Sequence, residues 1–188
     1  VVKFSRETRI ERSSKEVTIK ALYRDWKKDT ELKLAGKYSE TIMRFDLVIQ
    51  RNQVWSHIQK SALIHSALYG YYIPPILVKD SEDGKKWFLD AQQRLTTLMT
   101  FIDGSWKLSK KTKDVFGWKI AGKGFEDLTK SMRETIFEET ILLVKMKHMT
   151  DRERDEQFVK TNSGTPLTKV ELLRAKHSML IPYVTEIG

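Results

Sequence analysis

The chain of 188 residues is 40% hydrophobic and 31% charged, proportions that are ordinary for one folded globular domain. It has no cysteine, which excludes disulfides, thiolate metal sites and a cysteine nucleophile, and no apolar run approaches the roughly 18 residues that span a membrane. The net charge of +9 is concentrated in residues 1–60 and 106–123, which favours an anionic partner such as a nucleotide or nucleic acid, although a solvated lysine-rich surface has the same composition.

Four elements are predicted in the first half of the chain. The apolar residues of SSKEVTIKALYRDW recur at helical spacing behind two serines, which predicts a helix over 15–28. The segment from Phe45 to Ile49 is rich in strand-forming residues. A second helix, in SHIQKSALIHSALYG, is expected to end at Gly70. Two short apolar runs then flank a Glu-Asp-Gly turn at 82–84, which predicts a β-hairpin.

The second half alternates between helices and strands. One apolar stripe predicts a helix over 91–103, and the residues of 104–124 predict a basic loop or irregular hairpin. A helix in FEDLTKSMRETIFEE, a strand in TILLVKMK and two helices, in TDRERDEQFVKTN and TKVELLRAKHSML, complete the chain. Since neither internal repeats nor a linker interrupt this order, the elements predict a single α+β domain.

The segment DAQQR, at the start of the predicted helix 91–103, is the first candidate site. Asp90 at the N-cap with Gln93 three residues later is a capping-box pattern, which explains both residues without invoking a function. Arg94 lies on the edge of the core-facing stripe, where a guanidinium needs a partner. That partner is either Asp90, one turn earlier, or a phosphate bound together with the N–H groups of the first turn.

Other chemistry is weakly indicated. The four histidines lack metal-ligand spacing, so no metal site made directly by protein side chains is predicted. Arg51 follows an apolar run and precedes Trp55, and Asn162 begins a turn; each is explained by local structure when taken alone. Aromatic residues interleave the basic loop and could stack on bases, although such residues more often belong to a core. The lysines of this weaker nucleic-acid site are Lys107, Lys110, Lys111, Lys113 and Lys119.

Four motifs in a fixed order carry more information than any one of them. They are QRNQVWS, SALIHSALYGYYIPPI, FLDAQQRLTTLMTF and FVKTNSGTPLTKVELLRA, from about Phe45 to Phe101 and again from Phe158 to Ala175. This set resembles the N-terminal domain of the GmrSD-type family, in the ParB/sulfiredoxin-like superfamily. The family pattern reads approximately YQR-x-x-VW, IPPI, DGQQR-LTTL and F-x-x-x-N-x-G-x-x-LT-x-x-EL.

The resemblance implies a domain that binds a nucleoside triphosphate, with Mg²⁺ as a possible companion, and hydrolyses it within a bacterial or prophage defence protein. The implied partners are the nucleotide, DNA and a nuclease domain, which is a separate C-terminal unit in the family. No secretory signal precedes the motifs, so a cytoplasmic location is expected. The implied catalytic residues are Asp90, Gln92, Gln93 and Arg94. The implied nucleotide contacts are Gln50, Arg51, Trp55, Ala91, Thr97 and Asn162.

The implied fold is a small mixed β-sheet packed with helices. A ParB-like nucleotide-binding core would occupy about residues 40–105, followed by a basic loop region and a helical part over 106–188, all within one domain. Because the chain starts at Val1 rather than methionine, it is expected to be an N-terminal fragment of a longer protein.

One departure from the family motif bears on activity. Ala91 stands where the motif has glycine, which would allow a positive φ or close approach of a phosphate. The methyl group could impair hydrolysis. The alternative function is therefore a catalytically silent DNA-binding or protein-interaction module of the same fold.

Overall fold

The fold is known from a computed structural model that describes residues 10–45, 55–81, 84–89 and 91–162, without the side chains of residues 155, 158, 159, 161 and 162. Within these residues there are five strands and five α-helices. In chain order they are β1 (Glu11–Thr18), α1 (Ile19–Leu34), β2 (Met43–Arg44), α2 (His57–Tyr69), β3 (Ile76–Asp80), β4 (Lys86–Phe88), α3 (Gln92–Ile102), α4 (Lys130–Glu138), β5 (Thr140–Lys147) and α5 (Asp151–Asn162). A 3-10 turn, Tyr38–Glu40, separates α1 from β2.

The strands form one mixed sheet in the order β1-β5-β3-β4-β2. β1 and β5 are antiparallel, as are β3 and β4, whereas β5 lies parallel to β3 and β4 parallel to β2. The prediction of an α+β fold with a small mixed sheet packed with helices is therefore confirmed. Two of the five strands, β1 and β5, come from outside residues 40–105, so the sheet draws on both sides of that segment.

The predicted helix over 15–28 is wrong at its start. Residues 11–18 form β1, and the helix begins at Ile19 and continues to Leu34. The true N-cap is Thr18, whose hydroxyl accepts the Ala21 N–H at 3.2 Å. β1 pairs along its whole length with β5, more than 120 residues later in the chain, and this pairing satisfies the backbone groups that an earlier helical turn would have used.

Helix α2 ends at Gly70, as predicted, and its start has a complete cap. The Ser56 hydroxyl accepts the Gln59 N–H, while the Gln59 side chain accepts the Ser56 N–H, which is a complete capping box. Gly70 ends the helix in the left-handed conformation, at φ 78°. Across the described ranges, no helix is at once long enough and apolar enough to cross a bilayer.

The remaining predictions are largely confirmed. β3 and β4 form the expected hairpin, and α3, β5 and α5 occupy the expected segments. Helix α4 is shorter than predicted, because Thr129 caps it and it begins at Lys130 rather than near Phe125. The strand predicted from Phe45 to Ile49 lies mostly outside the described residues, as does the last helix, in TKVELLRAKHSML.

Two groups of buried side chains hold the layers together. The larger one joins the sheet to α1, α2, α3 and α4, with Ile19, Ile64, Ile76 and Leu95 fully buried at its centre. The smaller one is built around Leu89, Met146 and Met149, with Leu77 and Trp87 packed against it. Arg154 of α5 lies over the ring of Trp87, 5.1 Å from its centroid, and so connects α5 to this second group.

A hydrogen bond between α1 and the end of α3 makes stability sensitive to alkaline pH. Tyr23 donates to Asp103 at 2.6 Å, and burial, followed by this bond and the aspartate charge, raises the pKa of Tyr23 to about 12. An unfolded tyrosine titrates near 10, so the contribution of Tyr23 is complete below about pH 10 and is lost as the pH rises through about 12. The urea midpoint should therefore fall more steeply across this interval for the wild type than for Tyr23→Phe. Equal slopes would contradict the prediction.

Candidate functional site

The candidate site is built around the first turn of α3, where the helix has an unexpected cap. Its N-cap is Ala91, at φ −139°, and not Asp90. Asp90 itself lies outside the described residues. The N-cap predicted at Asp90 is therefore wrong by one residue, and the Ala91 side chain makes no capping hydrogen bond. The cap residue therefore leaves the N–H groups of the first turn to other acceptors.

Gln93 makes a long-range contact in place of the predicted cap. Its Oε1 accepts the backbone N–H of Trp55 at 3.2 Å. Trp55 is half-buried against the main core and directly precedes Ser56, the cap of α2. The amide of Gln93 therefore ties the start of α3 to the start of α2, and brings the end of QRNQVWS to the QQR motif.

Arg94 connects the same turn to a third motif. Its side chain is buried, at 9% exposed, and its Nη1 donates to the carbonyl oxygens of Pro74 and Pro75, the latter at 3.3 Å. Carbonyl oxygens are neutral acceptors, so these bonds orient the guanidinium but do not themselves neutralise its charge. Arg94 thus connects the segment IPPI to α3, a contact that the sequence did not predict.

The geometry of Ala91 bears on its replacement of the motif glycine. Its φ is negative, so the backbone conformation at this position does not require glycine. The residue is 4% exposed and belongs to the main core. The added methyl group therefore packs with the protein interior.

Replacing Ala91 with glycine is expected to have small effects. The loss of a buried methyl group costs about 1 kcal/mol, and the better capping by glycine offsets part of that cost. The free energy of unfolding should therefore change by less than about 1 kcal/mol, and any nucleotide affinity by less than about threefold. The control is Ala62→Gly in the exposed interior of α2, which should cost about 1 kcal/mol. A tenfold gain in nucleotide affinity for Ala91→Gly would mean that the methyl group obstructs the site.

The other predicted nucleotide-site residues are placed unevenly. Gln92 is half-buried on the first turn of α3, and Thr97 is buried one turn further along, so that a nucleotide would reach Thr97 only after neighbouring side chains move. Gln50 and Arg51 lie outside the described residues. Asn162 is the last residue of α5, and its side chain is likewise not described.

The predicted basic loop is held firmly on α2. The ring Nε2–H of His57 donates to the carbonyl of Lys107 at 2.6 Å, and the Ser109 N–H donates to the buried Ser61 hydroxyl at 2.9 Å. Lys107 also pairs with Asp127 at 3.0 Å. The pKa of the Asp127 carboxyl is lowered, mainly because it accepts a hydrogen bond from the Gly124 N–H and, to a smaller extent, because it pairs with Lys107. Lys107 therefore has a structural partner.

The remaining lysines of the predicted nucleic-acid site are free of such partners. Within the described ranges, these four side chains are exposed and form no ion pair; they are Lys110, Lys111, Lys113 and Lys119. Trp106, in contrast, packs against the core beside Phe101 and donates from its indole nitrogen to the Thr100 hydroxyl at 3.1 Å. Among the aromatic residues of the basic loop, Trp106 therefore contributes to the core.

One feature of the site and one feature of the surrounding fold had no clear signal in the sequence. One is the use of the Pro74 and Pro75 carbonyls as acceptors for Arg94; the only indication was an arginine on the edge of a buried stripe. The other is Asp29 of α1, a buried carboxylate that holds the entry to β2. Among the described residues, no group of three or more His, Asp or Glu side chains could hold a metal ion.

Comparison with known families gives one result. The family model described as "GmrSD restriction endonuclease, N-terminal domain" matches residues 48–178, which is more than two thirds of the chain and includes α2, the β3–β4 hairpin, α3 and the basic loop. Comparisons with curated proteins and with solved structures gave no match.

Proposed function

Because the chain belongs to the family of the GmrSD restriction endonuclease N-terminal domain, we propose that it binds and hydrolyses nucleoside triphosphates within a bacterial or prophage restriction or defence protein. The observation that supports this proposal is the meeting of three family motifs at one helix start. Gln93 contacts Trp55 of the first motif, and Arg94 contacts Pro74 and Pro75 of the second. Residues that act on one ligand must lie together, and these motifs do.

The phosphate groups would be bound at the first turn of α3. Arg94 brings a fixed guanidinium to this turn, and a helix N-terminus adds N–H donors and the positive end of the helix dipole. A guanidinium held by two carbonyl oxygens keeps its orientation before the ligand arrives, so little conformational freedom is lost on binding. Arg51 would add a second positive charge, and Asp90 would hold Mg²⁺ directly or through water.

The two glutamines would then have different roles. The Oε1 of Gln93 is already used by the Trp55 N–H, so Gln93 acts by positioning the segment that follows Arg51. Gln92 is half-exposed on the same turn and is the better group to orient an attacking water. Positioning and charge stabilisation account for most of the catalysis of phosphoryl transfer, and an amide that orients the water supplies the first of these.

The proposal is tested by nucleotide binding and turnover. Each of the four common ribonucleoside triphosphates is added with Mg²⁺, and binding is followed by calorimetry and hydrolysis by phosphate release. We expect at least one nucleotide to bind and to be hydrolysed. Gln92→Ala should lower the rate constant about tenfold or more with little change in affinity, because a water-orienting group acts mainly in the transition state.

The control for this variant is Lys130→Ala, an exposed residue of α4 that belongs to none of the four motifs, which should leave both quantities unchanged. Absence of binding and turnover for all four nucleotides would overturn the proposal. Equal turnover by Gln92→Ala and wild type would remove Gln92 from the mechanism. The partners that we propose for the complete protein are DNA and a nuclease domain, in the same chain or a separate one.

A further inference from the structure

A cluster of aromatic rings joins the end of α2 to the basic loop. The ring of Tyr69 is at the centre: Phe116 stacks on it with centroids 4.5 Å apart and planes 17° apart, and Tyr71 lies at the same distance with a tilt of 31°. His65 completes the cluster, stacked on Tyr69 at 5.5 Å. The outer members remain largely in solvent, with Phe116 71% exposed and Tyr71 52% exposed.

This exposure is unevenly distributed over the protein. Among the described residues, eight large apolar side chains are exposed, and half of them lie in two short segments that contain the outer members of this cluster. Those four are Tyr71, Tyr72, Phe116 and Trp118. An aromatic patch concentrated in this way is typical of a binding surface, whereas single exposed apolar residues are common everywhere.

The backbone of Phe116 adds to this observation. Phe116 and Gly117 both have positive φ, 49° and 81°, in a tight turn closed by hydrogen bonds between Val115 and Trp118. The first of these turn positions favours asparagine, aspartate or glycine, and a bulky residue there costs about 1 kcal/mol. The sequence thus places a large ring at a turn tip where a small polar residue would be more stable.

The surroundings of the cluster are strongly basic. Residues 106–123 contain six lysines and one aspartate, and Lys110, Lys111, Lys113 and Lys119 are exposed without an ion pair in the described part of the chain. The hydrogen bonds that join His57 to Lys107 and Ser61 to Ser109 hold the first residues of this segment on α2, the helix that ends at Tyr69. Exposed rings and unpaired positive charges therefore share one region of the fold.

We propose that the exposed rings of Tyr71 and Phe116, which both pack on the ring of Tyr69, form a stacking platform for unpaired bases of single-stranded DNA, whose phosphates are bound by the neighbouring lysines. Aromatic rings beside a basic groove are how proteins bind single strands without reading their sequence. A duplex fits less well, because its base faces are already stacked within the helix. An acidic protein partner would use the lysines but has no need of open ring faces. The platform does not rest on the proposed nucleotide hydrolysis, since it involves none of the residues of that site.

The platform is tested with fluorescent 12-residue DNA probes followed by anisotropy at low and moderate salt. The probes are a mixed-sequence single strand, its duplex, and an abasic strand with the same number of phosphates. We expect the single strand to bind at least about tenfold more tightly than the abasic strand, and more tightly than the duplex. Affinity should fall with rising salt for all three, because each bound phosphate releases counterions.

The decisive variant is Phe116→Asn. Asparagine suits the positive φ of this position, and this gain offsets the loss of the stacking contact with Tyr69, so the variant removes the ring and should fold about as stably as the wild type. We expect it to weaken binding of the single strand about tenfold, and Tyr71→Ala to do the same, with abasic-strand binding unchanged. Tyr38→Ala, an exposed tyrosine elsewhere on the surface, is the matched control and should bind as the wild type does.

Three results would overturn the proposal. The first is equal binding of the single and abasic strands, which would show that only phosphates are recognised. The second is wild-type affinity in both Phe116→Asn and Tyr71→Ala. The third is tighter binding of the duplex than of the single strand. None of these results depends on whether a nucleoside triphosphate binds at α3, so the two proposals can fail separately.

Discussion

Arg94→Met is expected to lower the free energy of unfolding by about 1–3 kcal/mol and to weaken nucleotide binding about 10- to 100-fold. Methionine keeps the length and apolar volume of the buried stem but removes every N–H donor. The carbonyl oxygens of Pro74 and Pro75 then lose the hydrogen bonds that Arg94 Nη1 donates to them, and the IPPI segment loses its connection to α3. The proposed phosphate site loses one of its two positive charges in the same step. Urea unfolding and calorimetry with Mg²⁺-nucleotide measure the two effects.

Arg94→Lys separates charge from geometry. Lysine keeps the positive charge but has a flexible ammonium in place of the planar guanidinium, so it should recover part of the affinity and less of the stability. Arg24→Met, at a largely exposed position of α1, is the control and should change stability by less than about 0.5 kcal/mol. If Arg94→Met binds nucleotide as the wild type does, the phosphate site has been placed wrongly. If it is as stable as the wild type, the two carbonyl bonds contribute nothing to the fold.

Asp29→Ala is expected to destabilise the protein by about 3 kcal/mol. The Asp29 carboxylate is 3% exposed and accepts the Ile42 N–H at 2.9 Å and the Met43 N–H at 2.6 Å. Its removal leaves two N–H groups without an acceptor at the entry to β2, and each buried unsatisfied group costs about 1–3 kcal/mol. The unfolding midpoint in urea, at constant slope, measures the loss.

Asp29→Asn should lose less stability than Asp29→Ala, because the amide keeps one oxygen acceptor while its NH₂ group faces the second N–H. Asp25→Ala is the matched control. Asp25 lies one turn earlier on α1, is partly exposed and pairs only at 3.7 Å with Arg24 and 3.9 Å with Lys86, so its removal should cost less than about 1 kcal/mol. Similar losses for Asp25→Ala and Asp29→Ala would show that burial of the Asp29 carboxylate has no special importance.

The elements that could be predicted correctly are those with local signals at their ends. Helix α2 ends at Gly70 as predicted, and Ser56 and Gln59, which form its capping box, are only three residues apart. The β3–β4 hairpin likewise follows from a short turn between two apolar runs. Such interactions join residues within four positions of one another. Both partners of each interaction therefore stand in one short stretch of the sequence, where a pattern can identify them.

The predictions that failed concern residues whose partners are distant in the chain. Residues 15–18 fit a helix by spacing, but the pairing of β1 with β5 makes them a strand. Gln93 fits a capping box by spacing, but its amide oxygen accepts the N–H of Trp55, 38 residues earlier. Asp29, for which no prediction follows from the sequence, lies in a charged stretch of α1, yet it is buried and accepts the N–H groups of Ile42 and Met43. In each case a local pattern is overridden by a non-local hydrogen bond.

The candidate site shows the same division. The order and chemistry of its motifs are properties of the sequence alone, and so are the family resemblance and the presence of alanine at position 91. Only the folded chain places Trp55, Pro74 and Pro75 on Gln93 and Arg94, and only its packing puts the Ala91 methyl group in the core. The physical reason is that residue type and spacing determine which contacts a chain can make within one or two turns. The contacts between distant segments depend on how the sheet and helices bury their apolar faces together.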